Sequence, residues 1–427
     1  MLGFKLKPPN CQHEYHTGIY AENFVHCVFN HSEFKTVFMI REITTEKLPI
    51  KLWLPDVEEG ALEQAKNLAN LPFAFRHIAL MPDCHQGFGM PIGGILATRE
   101  VIIPNAVGVD IGCGMCAVQT SLDHIDTPTL KSIMSGIREL VPLGFKRQSN
   151  QQDPQWMPPV KDEENMPVVM REYFSATHQV GTLGGGNHFI EIQKGSDGLI
   201  WIMVHSGSRN IGKQVADHYN RLAVSLNQKW KSPVPKSAQL AYLPVDSPEG
   251  QQYIREMQYC IDFAFANRRL MMKNIQDVFE QHLGSKFRAA PMINIAHNYA
   301  GFEKHFNSEV IVHRKGATKA SKDTVGIIPG SQGTNSFIVK GKGNKESFES
   351  CSHGAGRVMG RKQAIRSLDL KEEIKKLNEK GVIHAIRSAR DLEEASSAYK
   401  DINTVMKNQD DLVDILVELE PLAVIKG

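Results

Sequence analysis

Three histidines follow short apolar runs in the chain. His205 follows IWIMV, His297 follows INIA, and His313 follows VIV. A side chain at the end of a buried strand is held within tenths of an ångström, which is the precision that a metal site requires. A core histidine bonded to a backbone carbonyl is the other interpretation of each. The three are therefore candidate metal ligands, with that alternative open for each of them.

A carboxylate and a thiol lie three residues apart in Asp110-Ile-Gly-Cys113, after the strand-like run VIIPNAVGV. Oxygen, sulfur and imidazole donors together suit Zn²⁺ or Mn²⁺ better than Ca²⁺ or Mg²⁺. Cys116 completes a C-x-x-C pair, for which a redox role is the alternative. A helix N-terminus and a thioredoxin-like context are missing, which disfavours that alternative.

Two glycine-rich segments indicate anion binding with unequal strength. The turn 184–186 leads into Asn187, His188 and Glu191, and its free backbone N–H groups suit an anion. A triple glycine is weak evidence by itself. The second segment, 207–213, matches G-x4-G-K, but the next residue is glutamine where a phosphate-binding loop needs Ser or Thr for magnesium. We therefore exclude a P-loop NTPase.

The charge of the chain is unevenly distributed. Segment 313–366 holds eleven basic and three acidic residues, a charge of +8, whereas 367–427 carries −4 and the whole chain +2. Glycines beside His353 and Arg357 let a phosphate approach backbone amides while arginine offsets its charge. These features predict a polyphosphate or RNA-backbone site in 313–366, which the near-zero net charge does not exclude.

The elements that position these residues belong to a globular chain. It has 427 residues, of which 41% are hydrophobic and 22% charged, so disordered and fibrous classes are excluded and two or three domains, or one large one, are allowed. Seven scattered cysteines in a chain without a secretory start indicate reduced thiols and a cytoplasmic protein. No apolar run approaches about 20 residues, which argues against a membrane span.

Hydrophobic periodicity predicts a mixed α+β protein with one catalytic body, although it does not give the topology. The segment 146–168 is expected to be an exposed loop, and 370–420 to be helical and acidic. The predicted helices are 127–141 and 249–283, and the predicted strands are 199–204, 292–296, 309–312, 324–328 and 336–339.

The first 38 residues differ from the rest and have little periodicity. They contain cysteines and histidines whose spacing fits no common structural zinc site, so an extension with little order is favoured over a zinc site. Met39 opens a more regular segment, and as a hypothesis it is the functional start. The residues weighed as zinc ligands are Cys11, His13, His16, His26, Cys27 and His31.

Nine motifs follow one another in a fixed order between residues 45 and 427. They are MPDCHQGFGMPIGG, AVGVDIGCGM, LGGGNHFIE, VHSGSRNIG, AHNYAG, HRKGA, PGSQGTNS, SHGAGR and the final IKG. With these motifs the chain resembles the RtcB family of GTP-dependent RNA ligases, in its bacterial form. The resemblance implies an N-terminal extension, 1–44, and a single large catalytic domain, 45–427, of α+β class with mixed and antiparallel sheets flanked by helices.

The resemblance implies an activity that joins an RNA 3′-phosphate or 2′,3′-cyclic phosphate to a 5′-hydroxyl. It makes His353 the nucleophile that forms a histidine–GMP intermediate, from which GMP passes to the RNA as RNA-(3′)pp(5′)G. Two manganese ions are implied, with Zn²⁺ or Co²⁺ as alternatives, and His313 receives no role. One ion is implied on Asp110, Cys113 and His188, and the other on Cys113, His205 and His297.

The resemblance also implies a set of guanylate contacts. Gln332 stands where relatives often have Met, and Gly360 where many have Ser; both flank the site and leave the named ligands in place. The implied contacts are Asp83, Asn187, His188, Glu191, His297, Asn298, Pro329, Gly330, Ser331, Gln332, Ser336, His353, Gly354, Ala355, Gly356 and Lys426.

The implied partners are RNA, GTP and an archease-like activator, and we expect a monomer. Two rival functions stay open at this point. A metal-dependent phosphoesterase would use the same metal ligands without nucleotide, but it has no need of His353 and its glycine-rich surroundings. A non-catalytic RNA-binding module would need no Asp/Cys/His cluster at all.

Overall fold

The computed structural model describes residues 41–427. The zinc and extension alternatives of the first 38 residues, and Met39, lie outside the described residues. The first strand already begins at Arg41, within the predicted extension. Within 41–427 the α-helices are α1 (Glu59–Ala69), α2 (Pro104–Val107), α3 (Thr127–Leu140), α4 (Pro167–Thr177), α5 (Arg209–Lys229), α6 (Pro248–Leu283), α7 (Arg361–Ser367), α8 (Leu370–Glu379) and α9 (Ile402–Lys407).

The strands lie between these helices, singly or in runs of up to seven, and most of them are short. They are β1 (Arg41–Ile43), β2 (Ile50–Leu52), β3 (Ala74–Phe88), β4 (Met90–Thr98), β5 (Val101–Ile102), β6 (Gly114–Gln119), β7 (Phe189–Gly195), β8 (Ile200–Ser206), β9 (Leu243–Pro244), β10 (Ile293–Ala296), β11 (Asn298–His305), β12 (Ser308–Lys315), β13 (Ala317–Lys319), β14 (Val325–Ile328), β15 (Ser336–Gly341), β16 (Ser350–Ser352) and β17 (Val413–Lys426).

Two large sheets organise the described part of the chain. One has the order β1-β2-β3-β4-β12-β11 and is mixed, because β2 and β3 run parallel while its other pairs are antiparallel. The other has the order β10-β6-β8-β7-β17-β15-β14 and is antiparallel throughout. The predicted α+β class with mixed and antiparallel sheets is confirmed.

Helices α3 and α6 pack on one face of the seven-stranded sheet. Each begins at a capping side chain followed by proline: Asp126 accepts from the backbone N–H of Thr129, and Ser247 accepts from that of Gly250. The apolar stripe of α3 and the middle of α6 bury against β7 and β8. The two helices therefore cover this face of the sheet with a continuous apolar core. The packed residues are Ile133, Met134, Ile137, Met271, Ile275, Ile190, Ile202 and Val204.

Most predicted elements are confirmed. The helices 127–141 and 249–283 correspond to α3 and α6, and the five predicted strands all lie within or overlap observed strands. Segment 146–168 is a loop that contains two short 3₁₀ turns, at Pro154–Trp156 and Glu163–Asn165. None of the described helices is long and apolar enough to span a bilayer.

The helical prediction for 370–420 is wrong at its C-terminal end. There α8 and α9 are followed by the 14-residue strand β17, which crosses the seven-stranded sheet between β7 and β15. The acidic residues suggested a solvated helix, but Val417-Glu418-Leu419-Glu420 alternates apolar and acidic side chains, and this alternation is the pattern of a half-buried strand. The helical prediction gave weight to the acidic composition and missed the two-residue alternation that is typical of a strand.

Candidate functional site

Adjacent strands of the seven-stranded sheet bring one cluster of polar side chains to the same edge. Gly114, which begins β6, pairs with both Ser206 of β8 and Ala296 of β10. The residues beside these three are Cys113, His205 and His297. On the far side of β8, His205 pairs with Phe189, whose neighbour is His188. Strand register thus places four candidate ligands together, although they are far apart in sequence.

These side chains form two groups of metal-type ligands that share one thiol. Asp110, Cys113 and His188 form one group, and Cys113, His205 and His297 the other; within each group the donor atoms lie within 4.8 Å of one another. The Cys113 Sγ atom lies 3.5 Å from His188 Nε2 and 3.4 Å from His205 Nε2. The structure therefore brings together all five predicted metal ligands.

Backbone carbonyls fix the orientation of two of the rings. Nδ1–H of His188 donates to the Leu183 carbonyl at 3.0 Å, and Nδ1–H of His205 donates to the Asn187 carbonyl at 3.1 Å. A carbonyl only accepts, so each neutral ring keeps its lone pair on Nε2, and these lone pairs face the other ligands.

The donor set fits a cation. His205 Nε2 lies 3.4 Å from His297 Nε2, and His188 Nε2 lies 3.1 Å from Asp110 Oδ2. The one proton of the Cys113 thiol cannot satisfy three imidazole nitrogens and the Asp110 carboxylate, whereas divalent ions would accept the lone pairs of all of them. Two cations sharing the sulfur are consistent with both groups.

Burial determines the charges of the cluster when no cation is bound. It lowers the pKa of His205 and of His297 well below the usual value, so both rings are neutral. Burial, together with the Asp110 carboxylate, raises the pKa of the Cys113 thiol well above its usual value. A thiolate at this position therefore needs the positive charge that a bound cation supplies.

Arg268 of α6 holds the backbone next to two of the ligands, and the sequence analysis did not identify it. The side chain is fully buried, and its Nη1 donates to the carbonyls of Gly112 at 3.0 Å and Ser206 at 2.9 Å. These residues precede Cys113 and follow His205. Its Nε also donates to Asn294 at 2.7 Å. An arginine inside an otherwise apolar helical stripe was the available signal.

His353 lies beside the cluster and is held by Asp83. Nδ1–H of His353 donates to Asp83 Oδ2 at 2.6 Å, and the backbone N–H of His353 donates to the same oxygen at 3.0 Å. The rings of His353 and His297 are 4.8 Å apart between centroids. Asp83 is fully buried. Asp83 is predicted to be a nucleotide contact, and the structure shows that its carboxylate contacts His353.

Glycines allow the segments around His353 to approach closely. A methyl group on Gly356 would lie 2.2 Å from the Asp83 carbonyl oxygen, and one on Gly316 would lie 3.0 Å from His353 Cε1. Both glycines have positive φ, +73° and +61° respectively. The predicted contacts Gly354 and Ala355 are buried in the same segment.

A second polar group lies between β7, β15 and the end of β17. Gln193 Nε2 donates to Glu191 Oε2 at 2.7 Å and to Ser336 Oγ at 3.1 Å, and Ser336 Oγ also accepts from the N–H of Gly330 at 3.1 Å. Burial raises the pKa of Glu191 to about 8 although the Lys426 ammonium opposes the shift. Glu191 therefore keeps its proton at neutral pH.

Other predicted contacts hold loops in place. Asn298 donates from Nδ2 to the Asp110 carbonyl at 3.1 Å and accepts from the Gly316 N–H at 2.8 Å. Ser331 Oγ pairs with Thr334 at 2.9 Å, in the loop that follows Pro329. Gln332 is buried, and its amide donates to a backbone carbonyl at 2.8 Å.

A buried carboxylate organises the basic side chains next to the glycine-rich turn. Glu394 accepts from Arg357 Nη1 at 3.2 Å, from Arg361 Nε at 3.0 Å and from the Tyr399 hydroxyl. A methyl group on Gly186 would lie 2.8 Å from Arg361 Nη2, so this arginine borders the turn. The sequence indicated the arginines but not Glu394.

Three alternatives can be decided from these positions. His313 is a core histidine, since its Nε2 accepts from the Ile103 N–H at 3.0 Å in the interior. Cys116 packs in the apolar core under α6, and the cysteines of 41–427 form no disulfide. Gly212 and Lys213 lie inside α5, which agrees with the exclusion of a phosphate-binding loop.

Comparisons with known proteins identify relatives of this chain. A family model described as tRNA-splicing ligase RtcB matches residues 64–175 and 159–427. The RNA-splicing ligase RtcB of Escherichia coli K12 is 39% identical over 407 residues, covering 90% of this chain and 99% of that protein. The tRNA-splicing ligase RtcB of Thermococcus kodakarensis is 32% identical over 442 residues, covering 87% and 92%.

The fold, the site and these relatives together define an enzyme of the RNA ligase class. A family model that accounts for most of the chain and relatives that align over nearly their full length leave no rival class. The chain belongs to the RtcB family, as its motifs predicted.

Proposed function

We propose that this RNA ligase consumes GTP, requires divalent metal ions, and joins RNA 3′-phosphate or 2′,3′-cyclic phosphate ends to 5′-hydroxyl ends. The observation that carries the proposal is the pairing of His353 with Asp83, next to the double ligand group. A metal-dependent phosphoesterase needs no covalent histidine nucleophile, because a water molecule attacks the phosphorus in hydrolysis.

His353 is the nucleophile of the first step. Because Nδ1–H is donated to Asp83, the lone pair lies on Nε2. Nε2 attacks the α-phosphorus of GTP, a nitrogen–phosphorus bond forms, and the bond from that phosphorus to the bridging oxygen breaks as pyrophosphate leaves. The Asp83 carboxylate stabilises the positive charge that develops on the ring.

The remaining two steps transfer GMP and then release it. An oxygen of the RNA 3′-phosphate attacks the phosphorus of the histidine-bound GMP, so the nitrogen–phosphorus bond breaks and RNA-(3′)pp(5′)G forms. The 5′-hydroxyl of the second RNA end then attacks the 3′-phosphate, and GMP leaves. One RNA phosphodiester is gained and one GTP is converted to GMP and pyrophosphate.

Asp110, Cys113 and His188 would hold one metal ion, and Cys113, His205 and His297 the other. When bound, such ions offset the negative charge of the reacting phosphates. We propose Mn²⁺ as the ion, with Zn²⁺ and Co²⁺ as alternatives that suit the same donors. The two ligand groups support this assignment, and Cys113 would serve as a ligand in both of them.

The guanylate would lie between the glycine-rich turn, β7 and the loops that carry His353. The buried Glu191 would present its protonated carboxyl to the base, and Lys426, whose charge acts on Glu191, would contact the guanylate on the same side. The remaining proposed contacts are Asn187, Asn298, Pro329, Gly330, Ser331, Gln332, Ser336, Gly354, Ala355 and Gly356. An archease-like activator, a monomeric state and a cytoplasmic location complete the proposal.

The test is covalent labelling with GTP that carries the label on its α-phosphate. Wild-type protein with Mn²⁺ is expected to take up label, and His353→Ala to take up none. His124→Ala, which removes an exposed histidine, is the control and should label normally. Label on His353→Ala would refute the nucleophile, and an unlabelled wild type that still hydrolyses RNA ends would favour the phosphoesterase.

A further inference from the structure

Exposed aromatic and basic side chains form a patch at the C-terminal end of α4 and the loop that precedes Pro154. We call it the aromatic–basic patch, and it consists of Phe145, Lys146, Arg147, Arg171 and Phe174. The Phe145 side chain is fully exposed and that of Phe174 is 70% exposed. Single exposed apolar side chains are common on protein surfaces, whereas exposed aromatic side chains that lie together mark interaction sites.

The patch is held on ordered backbone. Arg147 Nη1 donates to Ser175 Oγ at 3.0 Å, and the backbone N–H of Gln148 donates to the His178 carbonyl at 2.9 Å. The ring of Phe174 lies 5.2 Å from that of His178. The loop is thereby fastened along the end of α4, so the two phenylalanines occupy the same region of the surface.

The patch adjoins the site described above. Its first residue follows Gly144, whose N–H donates to the Gly184 carbonyl at 3.1 Å and whose own carbonyl accepts from Arg209 Nη2 at 3.3 Å. Gly184 begins the turn that leads to His188. A chain that leaves the site past this turn therefore meets Phe145.

The charges of the patch suit a polyanion. Lys146, Arg147 and Arg171 are basic, and the nearest acidic partner, Glu172, pairs with Arg171 at 3.1 Å. Exposed rings stack on nucleobases of any sequence, and basic side chains beside them contact the phosphates. Single-stranded nucleic acid matches both features, because one molecule supplies the bases that stack on the rings and the phosphates that pair with the cations.

We propose that the aromatic–basic patch binds the single-stranded end of the RNA to be joined, with bases stacked on Phe145 and Phe174 and phosphates against Lys146 and Arg147. The proposal rests on the proposed function, since it assigns the path of that enzyme's substrate. Nothing in it alters the reaction of His353 with GTP, which needs no RNA.

The experiment measures the binding of a fluorescent single-stranded RNA with a 3′-phosphate to the full-length protein by anisotropy. Phe145→Ala and Phe174→Ala should each raise the dissociation constant about 5-fold to 100-fold, the range of a lost stacking contact. Phe302→Ala, which removes another exposed phenyl ring, should leave it unchanged. Phe145→Trp, which keeps an aromatic ring at this position, should bind the RNA as tightly as the wild type.

Two further measurements separate stacking from other causes. An RNA with abasic sites in place of its terminal bases should bind wild type and Phe145→Ala equally, because no base is left to stack. Lys146→Gln should reduce the slope of log affinity against log salt by about 0.7, the value for one phosphate contact on a single strand. Covalent labelling by GTP should be the same in every patch variant.

Equal RNA affinity in wild type and the Phe145→Ala, Phe174→Ala double variant would overturn the proposal and turn attention to a protein partner. An effect of Phe145→Ala that persists on abasic RNA would also overturn it. Absence of GTP labelling in the wild type would contradict the proposed function instead, and the binding comparison would still decide the role of the patch.

Discussion

Asp83 determines which nitrogen of His353 is free to react. One of its oxygens accepts three hydrogen bonds, from His353 Nδ1 at 2.6 Å and from the backbone N–H groups of His353 and Gly354 at 3.0 and 3.3 Å. Burial opposes ionisation of this carboxyl, but His353, Lys400 and His85 hold its pKa below the usual value. A negative carboxylate therefore faces the ring at neutral pH and keeps the proton on Nδ1.

Asp83→Asn should slow covalent labelling of His353 by about 1,000-fold or more, since an amide can donate to Nδ1 and move the proton to Nε2. The measurement is the rate of label uptake from GTP with saturating Mn²⁺. Asp123→Asn, at an exposed position, is the matched control. Normal labelling in Asp83→Asn would show that Asp83 does not select the reactive nitrogen.

Glu191 makes the stability of the protein depend on pH. Its pKa is raised by burial to about 8, so the folded chain keeps a proton that the unfolded chain releases near pH 4.5. Stability therefore falls as the pH rises between these two values, by at most about 1.4 kcal/mol per pH unit for one proton.

Glu191→Gln should remove this fall, because glutamine does not titrate. The free energy of unfolding, from urea titrations of protein without metal or nucleotide, should decline from pH 5.5 to 8.5 more in wild type than in Glu191→Gln. Glu420→Gln, at an exposed position of β17, should decline like the wild type. Parallel pH profiles for wild type and Glu191→Gln would contradict the raised pKa.

At the scale of elements, strand ends position most of the cluster. The apolar runs before His205 and His297 predicted strands and rigid side chains at their ends, and both strands are confirmed. The register that pairs Gly114 with Ser206 and Ala296 follows from long-range packing, which no local pattern encodes. The contact of Asp83 with His353 joins residues 270 positions apart, and the sequence could not predict it for the same reason.

The turn after His353 depends on glycine at position 356. Its φ is +73°, and a methyl group there would lie 2.2 Å from the Asp83 carbonyl oxygen. Gly356→Ala should therefore cost about 2 kcal/mol or more in the free energy of unfolding, from backbone strain and the displaced β3 backbone. Covalent labelling should fall with it, because the displaced strand carries Asp83.

Gly360→Ala is the matched control four residues later. Gly360 has a φ of −64°, and a methyl group there would meet nothing within 4 Å. Urea unfolding should show the control close to wild-type stability, since alanine restricts the unfolded chain but caps the start of α7 less well than glycine. Equal stability of Gly356→Ala and Gly360→Ala would show that the turn accommodates a side chain.

At the scale of the whole molecule, the positive charge of a segment overstates how many of its cations are free to bind a polyanion. Segment 313–366 carries +8, but Arg314 is buried against Glu303 at 2.5 Å, and Lys315 donates to the carbonyls of Phe88 and Asn105 at 2.6 and 3.0 Å. Those two cations stabilise the six-stranded sheet rather than a ligand surface. A count of charges cannot separate buried cations from exposed ones, because burial is a property of the assembled fold.

Metal binding should couple the site to the stability of the whole chain. The ligands span Asp110 to His297, and the unfolded chain cannot hold them together, so an ion that binds only the folded state stabilises it. Mn²⁺ at about 100 times its dissociation constant should contribute about 2.7 kcal/mol. The Tm of metal-free protein should therefore rise on addition of Mn²⁺, and far less on addition of Ca²⁺, which prefers oxygen ligands.

Cys113→Ala should lose this Mn²⁺-dependent rise in Tm because both ligand groups lose the shared sulfur. Cys116→Ala, which deletes a buried thiol three residues away, should have a lower Tm from lost packing yet keep the rise. An equal Mn²⁺-dependent rise in both variants, measured by differential scanning calorimetry, would place the metal elsewhere in the molecule.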